Sequence, residues 1–376
     1  MLVAYFVHDL SDTGVARRVR MLQDAGAEVR VIGFRRQGRT PCAFDGAPSI
    51  ELGLTHDGGF RRRALSVARQ LLRAPALAGH LGRPDVILAR NLEMIVIAAV
   101  ARALHAPQSR LAYECIDIHR LMLSQRWTGR ALRLVERAML RRSQLLIVSS
   151  PAFLRAYFEP RQKLSRRGPA TLLVENKVLE LRPSPGAGAP ARVPGPPWRI
   201  AWFGMLRCHK SLDLLRRLAE ARPGLVEIMI AGRPSARELP DFEAVVAASP
   251  GISFIGSYAP DQLAGLYRQA HFAWAIDYFE EGGNSAWLLP NRIYEGGLHA
   301  ATPIALRGSE TGDWLEARGL GVVMREPAEE LAPFLESLDA ERYRALEERS
   351  RRAPRAWFAA GRRDGRELLQ ALAGAA

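Results

Sequence analysis

The chain has little cysteine, no long apolar run and no aromatic-rich basic motif, and each shortage removes a class of protein. Only three cysteines occur in 376 residues, Cys42, Cys115 and Cys208. They have no metal-ligand spacing and an odd number cannot all pair, so a reducing cytoplasm suits them best. The most continuous apolar stretch, around Met94 to Ala101, is far shorter than the roughly 20 residues that span a bilayer. The apolar start, Met1 to Leu10, is short and lacks a basic flank, which argues against a signal peptide. No Asp-x-Asp pair sits in a suitable loop, so no metal site is expected. Aromatic residues are not interleaved with cations in a recognised binding motif, which argues against nucleic acid as a partner.

What is present describes a folded chain long enough for two domains. Hydrophobic residues make up 48% and charged residues 24%, ordinary values for a globular protein. The net charge of +14 lies wholly in residues 1–180, which carry 29 Lys+Arg against 15 Asp+Glu. Partners of such a surface are phosphate-rich: nucleic acid, anionic lipid or a pyrophosphate-linked substrate. A high-GC genome would also favour Arg without any function. Phe60 to Ala78 interleaves Arg with Leu and Val, which reads as a basic amphipathic helix, either packed on a sheet or lying on a membrane.

The order of elements predicts an α/β fold. Val3 to Val7 is an apolar strand. Val15, Val19 and Leu22 then recur at helical spacing, Gly26 ends that helix, and Glu28 to Phe34 is the next strand. Strand, helix, strand makes a right-handed βαβ unit. Asp85–Leu88, Leu111–Cys115 and Gln144–Val148 read as further buried strands. Residues 182–198 are a Pro- and Gly-rich break, where the domain boundary is expected. A second series follows, with strands at Arg199–Phe203, Val226–Ala231, Ile252–Ile255, Phe272–Ile276, Pro303–Leu306 and Val322–Val323, and a helix at Arg292–His299. The expected organisation is two doubly wound Rossmann-like domains, residues 1–181 and 199–340. Helices in 341–376 are expected to pack back on the first. Ligands in such sheets sit outside the carboxyl ends of the strands, in a cleft.

Two stretches of the second half carry donor-site chemistry. In Gly204-Met205-Leu206-Arg207-Cys208-His209-Lys210-Ser211, a glycine lets the backbone approach a ligand, and Arg207 and Lys210 can clamp a diphosphate beside a helix start. In Asn291-Arg292-Ile293-Tyr294-Glu295, Arg292 can face phosphate, and Glu295, one turn inside the helix, can accept both hydroxyls of a ribose. The bland alternative for Glu295 is a capping box or an ion pair. Asn284 and Ser285 lie in the preceding loop with Glu280 and Glu281, where sugar hydroxyls can be read.

These residues resemble the donor domain of GT-B glycosyltransferases of the family 4-like type. Phe203-Gly204 with Lys210 resembles their phosphate loop. Phe254-Ile255-Gly256-Ser257-Tyr258 resembles their strand end near the donor base, which implies a donor contact for Tyr258. Pro290-Asn291-Arg292-Ile293-Tyr294-Glu295 with Pro303 resembles their ribose-binding helix and the strand after it. Over most of its length the chain is similar to bacterial exopolysaccharide transferases of the succinoglycan type.

The resemblance implies transfer of a hexose or hexuronic acid from a UDP-sugar, needing no further cofactor. The implied acceptor is a polyprenyl-diphosphate-linked saccharide at an anionic membrane surface, on the cytoplasmic face of the plasma membrane. Retaining members carry a second Glu eight positions before the ribose-binding one. Trp287 stands there in this chain, which leaves room for inversion. Inversion needs a general base in the first domain. Asp117 resembles the catalytic Asp of inverting relatives, with a helix cap or salt bridge as its alternative role. Asp12 is the second candidate and His119 the third, with a core histidine or a hydrogen-bond donor to the phosphate as the alternative roles of His119. A UDP-sugar epimerase on the same fold is the rival enzyme reading. A basic lipid- or nucleic-acid-binding module is the rival of another class.

Overall fold

The computed structural model describes residues 1–55, 69–70, 78–165, 167–181 and 192–374. The basic stretch Phe60–Ala78 and the Pro-rich segment 182–198 lie mostly outside the described residues. The chain divides into two compact units, Met1–Glu175 with Leu179–Arg182 and Ala360–Ala376, and Asn176–Val178 with Pro183–Ala359.

The first unit is built on seven parallel strands: β1 (Leu2–Val7), β2 (Glu28–Arg36), β3 (Ser49–Thr55), β4 (Val86–Arg90), β5 (Arg110–Cys115), β6 (Leu145–Val148) and β7 (Ala170–Leu173). Their spatial order is β3-β2-β1-β4-β5-β6-β7. A parallel sheet covered on both faces needs apolar residues at successive positions, and Val3 to Val7 are all fully buried. Asp12 caps the Thr13–Asp24 helix by accepting from the Gly14 amide, and Val15, Val19 and Leu22 turn into the core. Strand order reverses between β1 and β4, so the carboxyl ends of these two strands open a crevice.

The second unit repeats the plan with six parallel strands: β9 (Trp198–Leu206), β10 (Val226–Pro234), β11 (Ile252–Phe254), β12 (Phe272–Trp274), β13 (Thr302–Leu306) and β14 (Val322–Met324). Their order is β11-β10-β9-β12-β13-β14, with the reversal between β9 and β12. Trp198, Trp202 and Trp274 fill its main core. Two short strands, β8 (Val178–Leu179) and β15 (Ala359–Ala360), mark where the chain passes from one unit to the other.

The C-terminal region departs from expectation. Only Ala360–Ala376 belongs to the first unit. The Ala340–Arg352 helix stays with the second, because Tyr343 is fully buried in its core against Trp198 and Phe272. The Arg362–Ala373 helix packs on Thr13–Asp24, with Leu368 and Leu372 in the first unit's core. Among the described residues, no helix is long and apolar enough to cross a membrane.

Candidate active site

In the second unit the site grows from the end of β9. Gly204 and Gly232 pair across β9 and β10, both with positive φ (110° and 128°), and a Cβ on Gly232 would overlap the Gly204 carbonyl. The chain then turns into the His209–Ala221 helix, whose cap is the sulfur of Cys208, accepting from the Ser211 amide. Arg207 lies over the Phe279 ring, 4.4 Å from its centre. Lys210 Nζ is 2.7 Å from Glu281 Oε1 and 4.2 Å from the Tyr278 ring centre. Both ends of that ion pair are more than half exposed, so exchanging Glu281 for a ligand phosphate costs about 1 kcal/mol or less.

The expected ribose-binding helix runs Asn291–Leu298, with Pro290 as its N-cap and no side chain capping its first amides. Of those amides, that of Ile293 donates to the Pro290 carbonyl at 3.1 Å, and those of Asn291 and Arg292 lack intrahelical partners. Asn291 is exposed at the first turn. Arg292 Nη1 donates to the Trp274 carbonyl at 2.9 Å, which ties the helix start to the end of β12. Glu295 is half-buried one turn on. Burial first, then the Glu295 carboxylate, pushes the Tyr258 and Tyr267 phenols up, while Arg292 opposes. Phe203, Tyr258, Tyr267, Arg292 and Glu295 thus converge from four elements.

At its other end, this helix is held by a buried arginine that sequence reasoning missed. Arg192 donates to the carbonyls of His299 (2.5 Å), Tyr267 (2.9 Å) and Ala300 (3.1 Å), and pairs with Glu347 at 2.7 Å. Glycines set the packing. A Cβ on Gly296 would lie 2.7 Å from that of Ala273, and one on Gly297 would overlap the Phe358 ring.

The expected sugar-reading pair behaves differently. Asn284 is buried within the short Asn284–Trp287 helix. The Ser285 hydroxyl accepts from the Glu280 amide at 2.8 Å and closes the loop. Ser285 also lines a small open cleft with Asp277, Tyr278, Glu281, Gly282 and Ser309. The loop is shaped first by its own hydrogen bonds.

In the first unit, the ends of β1, β4 and β5 hold a network that the sequence did not reveal. Glu114 is buried and accepts from Tyr5 (2.5 Å), Arg18 (2.8 Å) and Arg90 (2.9 Å). Burial works to raise its pKa, but Arg90, Arg18 and the Tyr5 hydrogen bond pull it down to about 2. Arg90 reaches on to Asp12 at 3.4 Å and to the Gly14 carbonyl at 3.3 Å. Burial likewise raises Asp12, yet Arg90, His8 and the Gly14 amide hold it below the ordinary carboxylate range. Asp12 is therefore a helix cap and ion-pair member. The available signal was Glu114 itself, since an acid inside an apolar strand demands a cation.

Asp117 is exposed on the loop after β5. His119, also exposed, caps the Arg120–Leu123 helix, its Nδ1 accepting from the Leu121 amide at 3.2 Å, which excludes a core histidine. A second missed carboxyl, Glu136, is buried and accepts from Tyr113 (2.8 Å), Tyr157 (2.5 Å) and Gln162. Among the described residues, no cluster of three or more His, Cys, Asp or Glu forms a metal site.

Residues 12–173 match the model of a glycosyl transferase 4-like domain. The chain is 44% identical over 381 residues to the succinoglycan biosynthesis protein ExoL of Rhizobium meliloti, covering 99% of this chain and 93% of that one. Its fold is that of a sucrose-phosphate synthase from Thermosynechococcus elongatus, at a TM-score of 0.75, 15% identity and full coverage of both chains. The Anabaena protein HepE, solved with UDP-glucose, superposes with a TM-score of 0.66 at 13% identity, again over both whole chains. The chain therefore belongs to the family of the succinoglycan biosynthesis protein ExoL, among the GT-B glycosyltransferases of the family 4-like type, and is an enzyme of that class.

Proposed function

We propose that the chain transfers a hexose or hexuronic acid from a UDP-sugar to a polyprenyl-diphosphate-linked oligosaccharide during exopolysaccharide assembly, with inversion and without a metal. The observation that carries the reading is the Asn291–Leu298 helix, which presents Arg292 and Glu295 one turn apart beside Tyr258 at the carboxyl end of β12. A cation and a carboxylate at that separation suit a diphosphate and a ribose diol. The names of two similar proteins support the same donor and process: one acts in succinoglycan biosynthesis and another was solved with UDP-glucose.

In the proposed reaction, Asp117 takes the proton of the acceptor hydroxyl. The hydroxyl oxygen attacks the anomeric carbon as the bond to the UDP oxygen breaks. UDP leaves with the bonding electrons, and Arg207, Lys210 and Arg292, with the helix amides, stabilise its negative charge. Asp117 is preferred to Asp12 because Asp12 is held ionised by Arg90 and is a poor proton acceptor. Trp287 in place of a second glutamate supports inversion. In this reading Arg207, Lys210 and Arg292 neutralise the leaving group in place of a metal. The enzyme would work as a peripheral protein on the inner face of the plasma membrane.

The test is turnover of a UDP-sugar with a lipid-linked acceptor, followed by NMR of the new linkage. Inverted anomeric configuration, indifference to EDTA and a loss of about 10²–10⁴-fold in Asp117→Asn are expected. Retained configuration would overturn the mechanism. Conversion of the donor sugar without acceptor would instead identify an epimerase.

A further inference from the structure

The Trp127–Leu140 helix of the first unit carries apolar residues on its outer face that nothing among the described residues covers. Trp127 is 79% exposed, Leu134 62% and Val135 40%. Trp127, Ala131 and Leu134 follow i, i+4, i+7 spacing and form one stripe, with Val135 at its edge. The opposite face is fixed inward. Gly129, Glu136 and Leu140 are buried, and Glu136 is hydrogen-bonded to Tyr113, Tyr157 and Gln162. The helix cannot roll to hide the tryptophan without breaking that buried network.

The charge around the stripe has one sign. Residues 118–142 hold seven Arg and a single acid, the buried Glu136. Arg133 and Arg137 turn toward backbone carbonyls of Met122, Ser124, Arg161 and Gln162. Arg126, Arg130, Arg141 and Arg142 are exposed. No salt bridge is recorded for any of these four among the described residues.

We infer that this helix lies flat on an anionic lipid surface, Trp127 and Leu134 entering the headgroup boundary while the flanking arginines meet lipid phosphates. A 14-residue helix extends about 21 Å, enough to lie in that plane and far too short to cross it. Arginine stems lie along apolar surface while their heads reach charge, so the border suits lipid phosphates. The inference deepens the proposed lipid-linked acceptor and rests on it for its setting.

The test is co-sedimentation of the full chain with phosphatidylcholine vesicles, with and without phosphatidylglycerol. Strong preference for the anionic vesicles is expected. Arg126→Gln/Arg130→Gln/Arg141→Gln should lower partitioning about a hundredfold, at roughly fivefold per arginine. Trp127→Ser/Leu134→Ser should lower it about tenfold or more. Melting by circular dichroism and UDP affinity by calorimetry should match wild type in both variants. Equal binding of both vesicle types, or wild-type binding by the serine variant, would overturn the inference. So would a dimer that the serine variant converts to monomer, since the face would then belong to a second copy. Absence of UDP binding in the wild type would sink the donor reading and leave the vesicle result standing.

Discussion

Glu114 and Glu136 are both buried carboxyls of the first unit, and their surroundings shift them in opposite directions. Glu114 meets two guanidinium groups and stays ionised. Glu136 is pushed up by burial, which outweighs hydrogen bonds from Tyr157, Tyr113 and Gln162. Glu114→Gln leaves Arg18 without its counter-charge and Arg90 with only Asp12 at 3.4 Å, and should cost about 3–5 kcal/mol in urea unfolding. Glu136→Gln strands no guanidinium hydrogen-bonded to it, since its partners are the neutral Tyr113, Tyr157 and Gln162, and should cost far less. The pH dependences run oppositely. Glu114's contribution is complete above the ordinary value of 4.5 and is lost as pH falls toward about 2. Glu136 binds its proton more tightly when folded, so its contribution is present below the ordinary carboxyl range and fades as pH rises through the raised value. Identical pH profiles for the two variants would contradict this assignment. Glu114 was visible in the sequence as a titratable group, but its partners were not. Arg18 and Arg90 are 96 and 24 positions away, and only the meeting of β4, β5 and the first helix brings them together.

At the scale of elements, the Asn291–Leu298 helix is the part on which donor binding turns. Gly296 lets it sit against β12, so Gly296→Ala should destabilise by about 1–3 kcal/mol through overpacking and weaken UDP binding as Arg292 and Glu295 shift. Arg192→Met should act from the far end. It frees three carbonyls and leaves Glu347 with only Arg351 at 3.3 Å, which should cost about 3 kcal/mol. Thermal melts and UDP calorimetry on the same samples check both. The strands around this helix were legible because both faces of a parallel sheet are covered, which leaves unbroken apolar runs such as Phe272–Ile276. The edge strands β3 and β7 escaped notice. Both include exposed positions, Leu54 and Leu173 among them, and carry no such run. The helix start was read to within one residue because Pro290 marks it. The roles of Asn284 and Ser285 were not legible, since loop hydrogen bonds depend on how the chain folds back.

For the whole molecule, the C-terminus is part of the first unit's fold. The Arg362–Ala373 helix lies on Thr13–Asp24, and a Cβ on Gly365 would come 2.9 Å from the Met21 carbonyl. Leu368 and Leu372 are almost fully buried there. At about 1.5–3 kcal/mol each, their loss approaches the stability of an ordinary domain. A chain ending at Ala359 should therefore lose the cooperative unfolding transition of its first unit while still binding UDP. A truncated chain that melts like the full one would show the helix to be dispensable. The central claim, that the second unit is a UDP-sugar site built on Arg292 and Glu295, is tested most directly by titrating UDP into the wild type and Glu295→Ala by calorimetry. We expect the variant to bind about 10- to 100-fold more weakly, the worth of a charged hydrogen bond to the ribose diol, with its melting temperature unchanged. Equal affinity in the two proteins would contradict the account.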